Sequence, residues 1–347
     1  MAQDAGQELG LDQQAGLPRS VSDRSRPVRW LIWWGTFLRR KPLGAFGVIV
    51  ILLIIFAATF AEQIDRHPPG QVFRQVNPQF DEELYQQSLV DPMVRLQHPP
   101  ETFIRDEVVM RNTGPSATHW LGTDRRGLDT YSRIIHGARV SLYVGVGASL
   151  LAVIVGTVFG LTSAYFGGRV DIIMQRFVDS LQAFPPLILL LLIIQVIERP
   201  TIHFIVLALG IVGLAPVIRI VRSAVLSERE NVYVLAATTI GASELRIMAR
   251  HIFPNIVAPI IVIFSASISV YILAEAGLSF LGFGDPTVIS WGRMVNEGRQ
   301  LGAASPLLAL WPGLAITFSV LGFSLFGDAL RDMLDPRLRG AGGRAGF

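Results

Sequence analysis

Few residues in this 347-residue chain have the type and spacing to do chemistry, and most of what they say is exclusion. The six histidines stand at 67, 98, 119, 136, 203 and 251, scattered and without the HExxH spacing that sets two imidazoles on one helix face around zinc. No metal site is expected from that pattern. There is no cysteine, which removes disulfides, thiolate metal centres and a cysteine nucleophile. A GxSxG elbow for an activated serine is also missing, so no catalytic residue is proposed. Lys41 is the single lysine and sits in Arg40-Lys41-Pro42 with no glycine-rich loop before it. Without a GxxxxGKS/T loop to cradle phosphates, this chain does not hold ATP in that way. If ATP drives the system, a partner must hydrolyse it. One carboxylate stands out: Glu275 lies deep in an apolar run that also carries Ser279. A charge there is costly and by default faces a cavity or a partner; the rival reading is a structural pairing with an arginine or a backbone group.

The elements that carry these residues are apolar and long. The chain is 51% hydrophobic and 16% charged, where soluble domains average about 25% charged residues, so lipid is the expected solvent. A net charge of +3 is too small to suggest nucleic acid as a partner. Residues 1–29 read as a disordered polar tail without a cleavable signal. Residues 30–61 hold an aromatic and basic stretch suited to the headgroup layer, read as a short interfacial helix, and then the first span. The uncharged 20 residues from Pro42 to Ala61 match the roughly 30 Å of a bilayer core. Residues 62–136 are polar and proline-rich, with little regular structure predictable. Five further apolar stretches follow: 140–168, about 170–197, 202–218, 252 to about 284, and 301–327.

Six spans put both termini on one side. The segments on that side hold Arg24, Arg26, Arg29, Arg39, Arg40, Lys41, Arg169, Arg176, Arg219, Arg222, Arg229, Arg246, Arg250, Arg331, Arg337, Arg339 and Arg344. The two short loops on the other side hold only Arg199, Arg293 and Arg299, so the N-terminus is read as cytoplasmic. Arg125, Arg126, Arg133 and Arg139 run against this bias but belong to a long loop, where the rule weakens.

The polar segment 223–253 between the fourth and fifth spans reads as a helix stopped by Gly241, then a second helix with Ser243 as N-cap, with Pro254 opening the next span. Two short helices on a fixed turn make a rigid knob, and Ala236, Ala237, Gly241 and Ala242 permit close approach. Pattern alone favours an ordinary helical loop. The segment resembles the cytoplasmic loop of ABC importer permeases, whose pattern is Glu-Ala-Ala, three residues, Gly, nine residues, then apolar-any-Leu-Pro. Ala236, Ala237, Gly241 and Pro254 match it; Leu235 replaces the usual Glu, His251 stands at the apolar position and Phe253 replaces the usual Leu.

Further blocks are similar to the C-type subunit of dipeptide and oligopeptide permeases: His119-Trp120-Leu121-Gly122-Thr123-Asp124, Gly127, Asp129, Ser132-Arg133, Gly137-Ala138-Arg139-Val140-Ser141-Leu142, Tyr165 to Asp171, Ala183-Phe184-Pro185, Ile272 to Gly282 and Gly327 to Leu338. Leu128 stands where that family has Arg. The resemblance covers 30–61 and 119–338 and implies an all-α membrane fold of six transmembrane helices: a five-helix type I importer core at 137–335, one N-terminal helix before it, and a cytoplasmic tail at 336–347. It implies a heterodimer with a B-type permease, two ABC ATPases holding ATP and magnesium, and an extracytoplasmic substrate-binding protein that delivers peptide, in the inner membrane of a prokaryote. Leu235, Ala236, Ala237, Gly241, Ala242, Ser243 and Pro254 would couple to the ATPase. Glu275, Ser279, Trp291, Asn296 and Glu297 are candidates for the pathway or an interface; for Glu275 the structural role is favoured, because a peptide pathway must tolerate many side chains. The segment 62–118 would cap the outer face or contact the binding protein. Two rival classes, an intramembrane enzyme and an ion-coupled secondary transporter, lack a nucleophile or metal constellation and an internal repeat, respectively.

Overall fold

The computed structural model describes residues 41–334 apart from 104, 106, 198 and 199. The tail expected at 1–29, the interfacial helix before residue 41 and the tail at 336–347 lie outside these residues. Helix α1, Pro42–Thr59, begins with a proline in its first turn, where the missing N–H would have no helical partner in any case. Leu43, Leu52, Leu53 and Phe56 on it are exposed, which suits a lipid-facing side and would be anomalous in water.

Residues 62–129 form a small folded insert, whereas little regular structure was expected there. After α2 (Ala61–Ile64) come strand β1 (Arg74–Val76), helices α3 (Glu82–Val90) and α4 (Met93–Gln97), and strand β2 (Glu107–Val109). The strands pair antiparallel with Gln75 opposite Val108. Asp81 caps α3 by accepting from the N–H groups of Glu83 and Leu84. Three-residue strands are too short to show an alternation, which is why composition alone read as loop. The insert is stitched to the following chain: Phe73 N–H donates to the Gly127 carbonyl at 2.9 Å, and the Met110 N–H to that of Phe73.

Helix α5, Thr130–Phe166, is the central element and packs against α1, α8, α9 and α12, the last three defined below. It starts ten residues before its uncharged stretch, because Asp129 caps it through the Ser132 N–H at 2.9 Å. Its buried side is a stripe of small residues. A side chain at Gly156 would lie 2.7 Å from Val217 Cγ1, and one at Gly160 2.9 Å from the Ile218 carbonyl oxygen, so these two glycines let α9 approach. Helices α6 (Gly168–Gln182) and α7 (Pro186–Gln195) meet at 85°, where one straight third span was expected. Pro185 and Pro186 explain the break: neither donates a helical N–H, and each disfavours helix in the residue before it. Helices α8 (Ile202–Val212) and α9 (Leu214–Arg229) meet at 41° around Gly213, against which the Tyr271 ring packs.

Helix α10 (Val232–Thr239) is followed by α11 (Glu244–Ile247), a π-turn at Met248–Ile252 and helix α12 (Phe253–Phe280). Pro254 stands in the first turn of α12, as expected, and the helical run is continuous through it from Glu244 to Phe280. The wide turn just before it absorbs the hydrogen bond that a proline cannot donate. Helix α13 (Trp291–Arg299) lies against α5, α12 and α14 (Leu307–Leu334), and α14 packs along α1. Four helical runs are long and apolar enough to cross a membrane, and the number reaches six if each bent pair is one span.

The α1–α14 contact rests on Gly47 and Gly322. A side chain at 47 would meet the Gly322 carbonyl oxygen at 2.6 Å and the Phe326 nitrogen at 2.9 Å. Gly47→Leu should therefore prise these helices apart at a cost of about 1–3 kcal/mol. In detergent this would appear as a lower thermal unfolding midpoint than for Leu43→Ala, a change on an exposed side chain of the same helix.

Candidate functional site

The residues expected to matter fall into two groups at opposite ends of α5. At the end where α5 stops, Arg229 donates to the carbonyls of Ala164 and Tyr165 at 2.9 and 3.0 Å, closing the free C-terminus of α5 with a cation. Asp171 takes both Nε and Nη2 of Arg222, at 2.7 and 2.6 Å, and Asp179 takes Arg219 at 2.7 Å. These ion pairs hold α6 to α9, and the knob formed by α10 and α11 projects from this rigid base.

The knob's turn is closed by two bonds. Ala242 N–H donates to the Ala237 carbonyl and Gly241 N–H to that of Thr238, with Gly241 at φ +79°, the left-handed cap that glycine adopts without strain. Ala237 is buried beneath the turn, while Leu235, Ala236 and Gly241 are exposed and Ala242 is half-buried. Ser243 occupies the N-cap position of α11, but its side chain makes no capping hydrogen bond. Pro254 sits exposed in the first turn of α12. Asn255 Nδ2 donates to the Tyr233 hydroxyl at 3.0 Å and to the His251 carbonyl, and that hydroxyl donates to Glu228. Partial burial, with Glu228 alongside, raises the Tyr233 hydroxyl's pKa, so it remains a donor. The consequence is a fixed knob whose outward side chains are apolar: Val232 is 81% exposed, Leu235 67%, Ile240 83% and Leu245 73%.

At the other end, α13 is clamped. Glu275, 2% exposed, accepts from Ser279 Oγ at 2.7 Å and Ser290 Oγ at 2.8 Å. Ser290 also caps α13 through the Gly292 N–H. Glu275 thus ties α12 to the N-cap of α13, and Ser279 supports it from one turn along the same helix. Trp291 is buried and donates from Nε1 to the Ile134 carbonyl at 2.8 Å, packing α13 on Ala138 of α5. Glu297 meets Arg133 at 3.1 Å, Arg126 at 3.3 Å and Arg293 at 3.9 Å. Asn296, half-buried on the same helix, accepts at its side-chain oxygen from Arg299. Arg133 is 1% exposed and also pairs with Asp124, while its Nη2 and the Thr130 hydroxyl border a cavity of about 10 Å³, room for one water. Asp285 lies beside this clamp and accepts from Thr287 and from the Ile202 N–H at 2.9 Å, capping α8. Burial pushes its carboxyl up, but these hydrogen bonds and Arg293 outweigh it and hold the pKa below the usual carboxylate value.

A profile of the binding-protein-dependent transport system inner membrane component matches residues 156–340, more than half of the chain. The chain belongs to this family. It is 35% identical over 320 residues to a glutathione transport system permease protein (GsiD) of Pectobacterium atrosepticum, covering 92% of this chain and 95% of the relative. To an oligopeptide transport system permease protein (OppC) of Bacillus subtilis it is 33% identical, covering 94% and 95%. To a dipeptide transport system permease protein (DppC) of Alkalihalophilus pseudofirmus it is 41% identical, covering 66% and 75%. The protein is accordingly a multi-pass inner-membrane permease of an ABC transport system and not an enzyme.

The permease's clamp contains residues that the sequence alone did not single out. Ser290 looks like any loop serine until Glu275 is seen beside it. Asp124 and Arg133 lie in a family-like block, but nothing in their spacing shows that they meet Glu297. The four arginines that run against the charge bias are each engaged on this face: Arg133 and Arg126 with Asp124 and Glu297, Arg139 with Glu62, and Arg125 with Gln300.

Removing Arg133 leaves Asp124 buried without its main cation, so Arg133→Ala should cost about 3–5 kcal/mol. Glu297→Gln, on a side chain 26% exposed, should cost far less; comparing unfolding midpoints of the two purified variants checks the order. Asp285 has a folded pKa below its unfolded value of about 3.9, so its contribution is present above that pH and lost as pH falls through the folded value. Asp285→Asn should lower the unfolding midpoint at pH 7, and the gap to the unaltered protein should close in an acid titration below about pH 4.

Proposed function

We propose that this chain is the C-type permease subunit of an ATP-driven importer that moves di- or oligopeptides into the cytoplasm, driven by ATPases docked on the α10–α11 knob. The observation that carries this reading is the knob itself. Four large apolar side chains are held out on a glycine-capped turn whose base is fixed by ion pairs. Such a surface has no use in water and is what a protein partner's groove requires. Leu235 adds an apolar contact where the family pattern places a glutamate. The N-terminus is cytoplasmic in this reading, so the knob faces the ATPases, while the insert and α13 face the binding protein. The chain supplies no ATP-binding loop, so ATP and magnesium belong to the two ATPases. A cleft of about 490 Å³ between α9, α12 and α14, lined by Ile220, Pro259, Val262, Ile263 and Leu334 with Arg331 as its one charge, offers a mainly apolar face toward a B-type permease. Peptide as the substrate class is supported by the oligopeptide and dipeptide transport relatives.

Replacing both Leu235 and Ile240 with Asp tests the docking without touching the fold, since both side chains are exposed. Each buried anchor lost from an interface costs about 2 kcal/mol, roughly 30-fold in affinity. The double variant should insert normally, fail to retain the ATPases on purification, and support no ATP-dependent peptide uptake in proteoliposomes. Unchanged ATPase retention would overturn the proposed docking surface. Full retention with no peptide uptake in the unaltered complex would instead overturn the substrate class.

A further inference from the structure

The insert holds a side-chain cluster that neither the knob nor the clamp uses. His67 follows α2, His119 precedes the Gly122 turn, and Asp129 caps α5, yet donor atoms of all three lie within 4.8 Å of one another. His119 and Asp129 are 3% and 1% exposed, and His67 is half-buried. His119 Nδ1 stands 2.9 Å from Asp129 Oδ1, and Asp129 Oδ2 accepts from both the N–H and the hydroxyl of Ser132, which fixes the carboxylate plane. His67 Nε2 lies 3.2 Å from the Thr118 carbonyl. A carbonyl only accepts, so that nitrogen carries the proton and Nδ1 keeps its lone pair for a ligand. Phe73 meets both rings edge-on, at 4.7 and 4.5 Å between centroids, and supplies an apolar wall.

We propose that His67, His119 and Asp129 bind one divalent transition-metal ion of the zinc type, which staples the insert to the start of α5. Two imidazoles and a carboxylate form a donor set for a borderline cation; a hard ion such as calcium would want six or more oxygens. A tetrahedral ion with bonds of about 2.0–2.2 Å holds its donors about 3.4 Å apart. That spacing lies between the 2.9 Å of the His119–Asp129 contact and the 4.8 Å span of the trio, so the ion would close the site by displacing to water the proton that His119 Nδ1 donates to Asp129. The oriented carboxylate and the carbonyl-bound imidazole provide the outer hydrogen bonds that metal centres use to aim their ligands. Three protein donors leave the fourth position to water. Two of the other described histidines are engaged elsewhere, His136 with Asp65 and His203 with Tyr143. The ion would join the segment after α2 to the loop at Thr118–His119 and the N-cap of α5.

The test uses the full chain purified with its membrane partners, stripped with a chelator and titrated with Zn²⁺ in competition with a chromogenic chelator. One equivalent should bind per chain. His67→Gln is the informative variant, because glutamine still donates to the Thr118 carbonyl and the partly exposed position tolerates the change. Loss of a ligand should weaken binding at least about a hundredfold, since loss of an outer partner alone costs about 10–100-fold. Zn²⁺ should also slow proteolytic cutting within 62–118 in the unaltered protein and not in the variant. No saturable binding, or equal binding by His67→Gln, would overturn the proposal. Binding by both with unequal protection would do so too, since it would place the ion elsewhere.

Discussion

A guanidinium that is 1% exposed must be met by opposite charge, and Arg133 sets the arrangement of everything around it. It sits one turn into α5, takes Asp124 from the insert behind it, and reaches Glu297 on α13 ahead of it. The end of the insert and the distant α13 therefore converge on one side chain of α5. Because α5 is also the helix against which α1, α8, α9 and α12 pack, fixing its first turn fixes the reference for the whole bundle. The Glu275–Ser290 contact repeats the logic from the apolar side: a carboxylate that cannot stay unpartnered in lipid holds α13 onto α12.

Between the two charged faces, cohesion comes from close approach. Lipid removes the hydrophobic drive for helices to associate, so contact area and the fit of small residues decide which helices touch. Gly47 and Gly322 bring α1 to α14, and Gly156 and Gly160 bring α9 to α5. The side chains excluded from those seams point outward as Leu43, Leu52, Leu53 and Phe56 on α1. Closely packed glycine seams permit rigid sliding or rocking of whole helices better than bending, while the ion pairs at each end limit how far such a motion goes.

The long uncharged stretches, the Gly241 turn and the position of the knob were legible from the amino acids, because hydropathy and left-handed glycine are local properties. The GxxxG at Gly156 and Gly160 was legible for the same reason. The 85° break after α6 was readable in principle from Pro185 and Pro186, but an apolar run on both sides disguised it as one span. What could not be read was convergence. Arg133 with Glu297, Glu275 with Ser290, and His67 with His119 each join residues whose proximity depends on the folded path, and a single sequence carries no signal of it. The insert was opaque for a second reason: its strands are three residues long and its longest helix is capped by an ordinary Asp, so composition reads as loop.

Under the proposed function, the most consequential element is the unbroken helical run from Glu244 to Phe280. Its first turn is half of the knob, and its last turns carry Glu275, which holds the N-cap of α13 at the opposite face with Ser279 bonded behind it. A helix transmits displacement along its axis, so a push on α11 passes toward Ser290 and Trp291 through the π-turn at Met248–Ile252 and past Pro259 inside α12. Pro259 removes a ladder hydrogen bond about one turn and a half into α12, and the π-turn at Met248–Ile252 departs from regular geometry next to the knob rather than in mid-span. Such a turn shifts the register of the hydrogen-bond ladder by one residue and can migrate or close, converting a rotation of the knob into an axial step of α12. The opposite end has no such slack: Glu275 is buried, bonded twice and packed under α13, where a side chain at Gly292 would run into the Ala276 carbonyl. Compliance next to the ATPase-facing end and rigidity at the substrate-facing end are the mechanical requirements for converting partner closure into movement of the mouth helix.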